Sequence, residues 1–278
     1  MMHKTGVVFS SGFFGFFAHA GFLAALRELK VEPAGYAGAS SGAIVAAMAA
    51  SGMSDSSIKE ILLDLKKSDF WDPEPIPLLF SKALKGLKGY RGYLRGRKFC
   101  RLLEKIPVTR IEACSKPLAI VATNLTERGE GLFTKGPLII RLQASGAVPM
   151  LFKPVEIDGS LYVDGGMVNK APVLALADLI EPERIIVHFI SSDNLEESKD
   201  SYLKKKLTPW HIYHLSVNIS REVAYQRQCD LVRRRGVEII QVRSNAPTLG
   251  PTSLNKGLSA YVMAKDNTLK ILKDLASR

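Results

Sequence analysis

The sequence predicts an α/β protein, with a mostly parallel central sheet layered between helices. Two observations carry that prediction. Apolar runs of strand length alternate along the chain with runs of helical periodicity, the order that a parallel sheet with helical crossovers requires. The segment GYAGASSGAIVAA, residues 35–47, also passes from a short apolar run into an alanine-rich one through glycines and two adjacent serines, as a strand-to-helix turn would. Composition agrees, since 278 residues with 46% hydrophobic and 23% charged side chains are ordinary for a globular chain and exclude a disordered one.

Taken in order, Gly6 to Phe9 reads as a buried strand, Ser10 to Gly15 as a tight loop, and Gly21 to Leu29 as an amphipathic helix. A short strand, Ala34 to Gly38, and a helix from Ala43 to Ala50 follow. LAIVATNL (118–125), LIIRL (138–142) and RIIVHFI (184–190) read as strands, with a helix over Val173–Leu179 before the last. No internal repeat breaks this progression, and residues 1–278 are expected to form one domain.

One segment differs in character. Phe70 to Lys98 opens as FWDPEPIPLLF and then carries seven basic residues from Lys82 with no acidic one. Trp71, Phe80, Leu84, Leu87, Tyr90 and Tyr93 interleave with those cations. Such a pattern lets apolar groups enter a lipid headgroup layer while Lys and Arg meet phosphates, so residues 70–98 read as a basic lid or interfacial insertion. A solvated basic helix and loop is the competing reading.

The formal net charge of +11 points to an anionic partner, a phospholipid surface or a nucleic acid. Cys100, Cys114 and Cys229 are odd in number, widely spaced and without a CxxC pair, which argues against a disulfide framework or a zinc site and fits a reducing cytoplasm. A secretory signal is a rival at the N-terminus, where Lys4, the apolar stretch Val7–Phe17 and Ala18-His19-Ala20 imitate its three parts. Cleavage after Ala20 would remove the first strand and loop. No uninterrupted apolar run reaches the roughly 18 residues of a membrane span.

The chemistry starts at Ser40. Gly38 and Gly42 frame it as GxSxG, the nucleophile elbow in which flanking glycines allow a sharp turn from strand to helix. Centring the motif on Ser41 would need glycines where Ala39 and Ala43 stand. A serine nucleophile needs a base and donors for the oxyanion that forms on attack. Asp164, directly after the strand-like SLYV and before Gly165 and Gly166, could present a carboxylate at a strand end; a simple turn is the other reading of DGG.

Three ordered blocks make the resemblance specific. They are the loop SSGFFGFFAHAG (10–21), the elbow GASSG (38–42) and ASGAVPMLFKPVEIDGSLYVDGGMVNKAP (Ala144–Pro172). Together they resemble the patatin-like phospholipase family in a bacterial form, over residues 6 to about 190. That resemblance implies a three-layer α/β/α patatin-like fold and a Ser-Asp dyad, with Ser40 as nucleophile and Asp164 as general base. It also implies backbone amides of the glycine-rich loop as the oxyanion hole, with Gly12 the central position, Phe13 beside it and Gly15 closing the frame. No histidine, metal or other cofactor is implied. The implied substrates are phospholipids, lysophospholipids or other acyl-ester lipids. The basic segment adds the expectation of peripheral binding to an anionic membrane surface, the cysteines that of a cytoplasmic enzyme, and the lack of a nucleic-acid motif that of no nucleic-acid partner.

The loop departs from the family's GGGxRG or GGGxKG, because SGFFGF places phenylalanines at glycine positions and holds no basic residue. Phe13, Phe14, Phe16 and Phe17 are candidates for an acyl pocket, the last two equally for core. Two rival functions remain in view. An α/β-hydrolase triad would recruit His188, His211 or His214 downstream of Asp164, although in that fold several strands normally precede the serine. A non-catalytic basic module would bind lipid or nucleic acid, yet the basic stretches carry no nucleic-acid motif.

Overall fold

The computed structural model describes residues 3–75, 90–191, 209–247 and 249–277, with the backbone alone at positions 209, 210, 211, 213 and 214. Most of the predicted basic insertion (76–89) and the side chains of His211 and His214 therefore lie outside the described residues.

The chain opens with β1 (Thr5–Phe9), α1 (Phe16–Glu28), β2 (Gly35–Ala39), α2 (Ser41–Ala50) and α3 (Asp55–Leu63). After α4 (Arg97–Leu103) come β3 (Leu118–Asn124), β4 (Gly129–Phe133), α5 (Leu138–Ser145) and the hairpin β5 (Val155–Ile157) and β6 (Ser160–Val163). The remainder is α6 (Val173–Ile180), β7 (Arg184–Phe189), α7 (Pro209–Arg234), β8 (Glu238–Arg243) and α8 (Gly257–Ala276).

The strands form one sheet in the order β5-β6-β3-β2-β1-β7-β8, with β4 also on β3. β1, β2, β3, β7 and β8 pair in parallel, and β4, β5 and β6 supply the antiparallel pairs. The central strands are apolar at consecutive positions because both sheet faces are covered. Val7, Phe9, Tyr36, Ile120 and Ile186 enter the core shared with α1, α2 and α8, while Val8, Ala37, Ala119, Ile185 and Val187 enter the core under α6 and α7. The period-2 alternation thus sends neighbouring residues into two different cores, and three layers result.

One expected strand is a helix. LIIRL begins α5, where Leu138, Leu142 and Ser145 are buried along one face and Ile139, Ile140 and Arg141 are only half-buried. A five-residue apolar run fits either period, and this one packs a single helical stripe against β3. The ends of the basic segment are pinned together. Glu74 and Arg95 donate backbone amides to Tyr93 O and Asp72 O, and the Asp72 carboxylate accepts the amides of Gly96, Arg97 and Lys98 at the start of α4.

His19 of α1 and His188 of β7 form a fully buried pair, Nδ1 to Nδ1 at 2.8 Å. His19 Nε2–H donates to Ser10 O at 2.8 Å, so its Nδ1 must accept from His188 Nδ1–H. His188 Nε2 then carries a buried lone pair with no partner among the described residues. Burial holds His19 down to about 3, and burial followed by the facing His19 holds His188 well below its ordinary value. The unfolded imidazoles take protons near pH 6.5 and the folded ones do not, so the pair's contribution to stability is complete above that pH and falls as the pH drops through 6 toward 4. We expect the urea midpoint to fall over that window, and to fall less in His188→Met; equal slopes in the two proteins would sink this account.

Candidate active site

Strand geometry alone brings two of the predicted residues together. β2 and β4 both pair with Ile120 and Val121 of β3, so they lie on opposite edges of it. β6 pairs at Thr123 and Asn124, positions that β4 also occupies, so β6 shares the β2 edge. Parallel β2 and antiparallel β6 therefore run head-on along one edge. β2 ends with Ala39 opposite Val121, and β6 ends with Val163 opposite Thr123. The next residues are Ser40 and Asp164, and Ser40 Oγ donates to Asp164 Oδ2 at 2.5 Å.

The serine sits in a conformation that few side chains adopt, φ 54° and ψ −126°, between the end of β2 and the start of α2. Gly38 and Gly42 allow it. A Cβ on Gly38 would lie 2.5 Å from Gly42 C, and one on Gly42 would lie 2.5 Å from both Phe9 O and Ser10 O. The elbow is held by Ser145, whose place inside the ASGAVP block carries no local mark of this role. Ser145 Oγ donates to Val121 O at 2.6 Å and accepts the Ser40 amide at 2.9 Å.

Asp164 is fixed as firmly. Its amide donates to Ala147 O and its carbonyl accepts Thr123 Oγ1–H, while Oδ1 accepts the Gly166 amide at 2.8 Å. A Cβ on Gly165 would collide with Val121 O and one on Gly166 with Ser11, so this turn admits glycine only. Ser40 is 8% and Asp164 6% exposed. Burial pushes the Asp164 carboxyl up to about 6, against the lowering effects of the Ser40 hydroxyl, the Gly166 amide and the Arg221 charge.

The loop after β1 faces the elbow. Gly12 O accepts Ser41 Oγ–H at 2.7 Å and the Gly15 amide at 2.9 Å, so the Gly15 amide is spent inside the loop. The amides of Gly12 and Phe13 meet no acceptor among the described residues. Ser40, Ser41, Gly12 and Phe13 line an apolar pocket together with Phe14, Phe16, Ile44, Met48, Leu62, Leu65, Phe70, Phe99 and Phe152. The two serines contribute its only polar side chains among the described residues. Phe17 does not reach it; 1% exposed, it packs against the start of α8 at Gly257. His188 is occupied with His19 and stacks on Phe22.

The patatin-like phospholipase family matches this sequence over residues 7–177, more than half of the 278. The chain belongs to that family. This patatin-like chain is 30% identical over 176 residues to uncharacterised NTE family proteins of Mycobacterium bovis and Mycobacterium tuberculosis. The match covers 63% of this chain and 46% of each relative, so the alignment spans about half their length. The solved structure of VipD from Legionella pneumophila superposes with a TM-score of 0.53 at 16% identity, over 99% of this chain and 67% of that one, a likeness of fold.

The patatin-like region holds Ser40, Asp164, Gly12, Phe13 and Ser145. A further contact comes from outside it: Arg221 of α7 donates from Nη2 to Ser11 Oγ at 2.7 Å. Among the described residues, no group of three or more His, Cys, Asp and Glu side chains is placed to hold a metal ion, and no helix is long and apolar enough to cross a membrane.

Proposed function

We propose that this protein is a serine lipid acyl hydrolase that cleaves acyl ester bonds of phospholipids or lysophospholipids through Ser40 and Asp164. The observation that carries the reading is the 2.5 Å Ser40–Asp164 hydrogen bond at a serine that lines an otherwise apolar pocket. An acyl chain lying along Phe14, Ile44 and Met48 would bring its ester carbonyl to Ser40 Oγ, a placement that removes much of the entropic cost of attack.

Asp164 takes the hydroxyl proton as Oγ bonds to the carbonyl carbon. The negative charge moves to the carbonyl oxygen, where the Gly12 and Phe13 amides and the N-terminus of α2 receive it. Collapse expels the lysolipid or glycerol alkoxide, which regains the proton from Asp164, and leaves an acyl-Ser40 ester. Asp164 then deprotonates water to release the fatty acid. A carboxylate with a pKa near 4 is a poor base for an alcohol, so its burial supports the role by raising its basicity. Exposed Phe13 and Met150, together with the chain's net charge of +11, support work at an anionic membrane surface.

Labelling with a fluorophosphonate and mass mapping tests the reading directly. A single adduct on Ser40 is expected; an adduct on Ser41, or none on folded protein with lipid present, would overturn it. The pH profile follows from the raised carboxyl. Asp164 must be ionised to act, so kcat/KM should rise tenfold per pH unit below about 6 and level off above it. A limb near 4 would deny Asp164 the part of base.

A further inference from the structure

We infer that Arg221, on a helix beyond the matched family region, is a positioning residue of this site, whose guanidinium supports the negative charge as it passes from Asp164 to the substrate oxygen. The inference rests on the reading of Ser40 and Asp164 given above. Its geometric ground is Ser11. This side chain is 3% exposed and accepts Arg221 Nη2–H at 2.7 Å. It directly precedes Gly12 in the chain, and its Cβ and Oγ occupy the space that a Cβ on Gly166 would need. One buried hydroxyl therefore touches both the loop that holds the Gly12 and Phe13 amides and the turn that holds Asp164. Arg221 is itself held from its own helix, where Nη1 donates to Asn218 Oδ1 at 3.1 Å.

The charge bookkeeping favours this position. Before attack the negative charge rests on Asp164; after attack it rests on the carbonyl oxygen beside Gly12. A cation close to the carboxylate alone would stabilise the ground state and slow the reaction. A cation anchored on Ser11, which adjoins both the Gly12 loop and the Asp164 turn, keeps its attraction throughout the transfer and also fixes the loop against the turn. The Asp164 carboxylate accepts the Ser40 hydroxyl from the turn before α2 and the Gly166 amide from its own turn, and among the described residues the Arg221 charge from α7 also favours its ionised form. The loop carries no basic residue of its own, so this helix supplies the charge from a distant part of the sequence.

The test uses p-nitrophenyl butyrate, a soluble uncharged ester, and anionic phosphatidylglycerol vesicles. Arg221→Gln should lower kcat on the soluble ester by about 10- to 100-fold with KM within about twofold, and move the acid limb of the pH profile upward. Arg221→Lys should recover part of the rate. Ser11→Ala should lose part of it, and adding Arg221→Gln to Ser11→Ala should cost less than Arg221→Gln does alone in wild type. Should Arg221→Gln fail to fold, the Lys and Ala variants carry the same comparison. A loss confined to KM on the anionic vesicles, with kcat and acid limb unchanged on the soluble ester, would make Arg221 a headgroup contact and overturn the inference. Infrared titration of the Asp164 carboxyl, isolated by difference against Asp164→Asn, separates this inference from the proposed function because it needs no turnover. Normal hydrolysis with an Asp164 titration unmoved by Arg221→Gln defeats the inference alone. An upward shift in a protein that neither labels nor hydrolyses defeats the proposed function and leaves the electrostatic link standing.

Discussion

Alanine in place of Ser40 is expected to lower ester hydrolysis by about four orders of magnitude or more while leaving the thermal transition unchanged. The reasoning is local. Oγ is the atom that bonds to the acyl carbon, and its removal deletes the covalent route instead of weakening it. Because the Ser40 amide, not its hydroxyl, bonds Ser145, the elbow keeps its anchor in the variant. Asp164→Asn should lose activity on a similar scale for a different reason, since the amide cannot take a proton although it fills the same space and can still meet Ser40. The two variants should also be non-additive. A double variant no slower than Ser40→Ala is the expected result, because nucleophile and base act in one proton transfer. Residual turnover within about tenfold of wild type in either single variant, measured on a soluble ester after confirming the fold by circular dichroism, would refute the dyad.

The second large effect falls on the fold at Gly42. Alanine there would place a methyl carbon 2.5 Å from Phe9 O and Ser10 O, both backbone atoms at the end of the central strand. A flexible side chain could swing away from such a contact; a strand carbonyl inside a parallel sheet cannot. Either α2 lifts off the sheet or β1 bends, and each movement separates the ten buried residues of α2 from the core. We expect Gly42→Ala to cost about 3–5 kcal/mol, enough to unfold a protein of ordinary stability, with Gly42→Val worse. Gly250→Ala is the control: among the described residues no heavy atom beyond its two chain neighbours lies within 4 Å of the added carbon, and a change within about 0.5 kcal/mol is expected. Urea midpoints of the two variants decide the matter, and equal midpoints would mean that the turn tolerates a side chain.

Much of the site was legible in the sequence for one physical reason. Where backbones cross at close range, only glycine fits, so the crossing writes itself into the chain as a glycine spacing. Gly38 and Gly42 around Ser40, and Gly165 and Gly166 after Asp164, are such marks, and the structure explains each by a backbone or side-chain atom where a Cβ would go. The three-layer fold was legible for a related reason, because strands covered on both faces read as unbroken apolar runs.

What stayed illegible depends on distance across the fold. LIIRL carried too few residues to tell a strand from a helix, and only its packing against β3 chose the helix. Ser145 looked like any serine after an alanine until the sheet placed it under the elbow. Histidines 19 and 188, 169 positions apart, became a buried pair only because α1 crosses β7. Arg221 and Ser11 are separated by 210 positions, and nothing near either one announces the other. The sequence by itself determined a parallel sheet covered by helices through its hydrophobic period and marked Ser40 and Asp164 by glycines at fixed spacing. The resemblance of its three blocks to the patatin-like family implied the roles of that serine and aspartate. Only the tertiary structure decided which side chains anchor, charge and wall the site, because those choices follow from which distant residues the sheet order brings within hydrogen-bond reach.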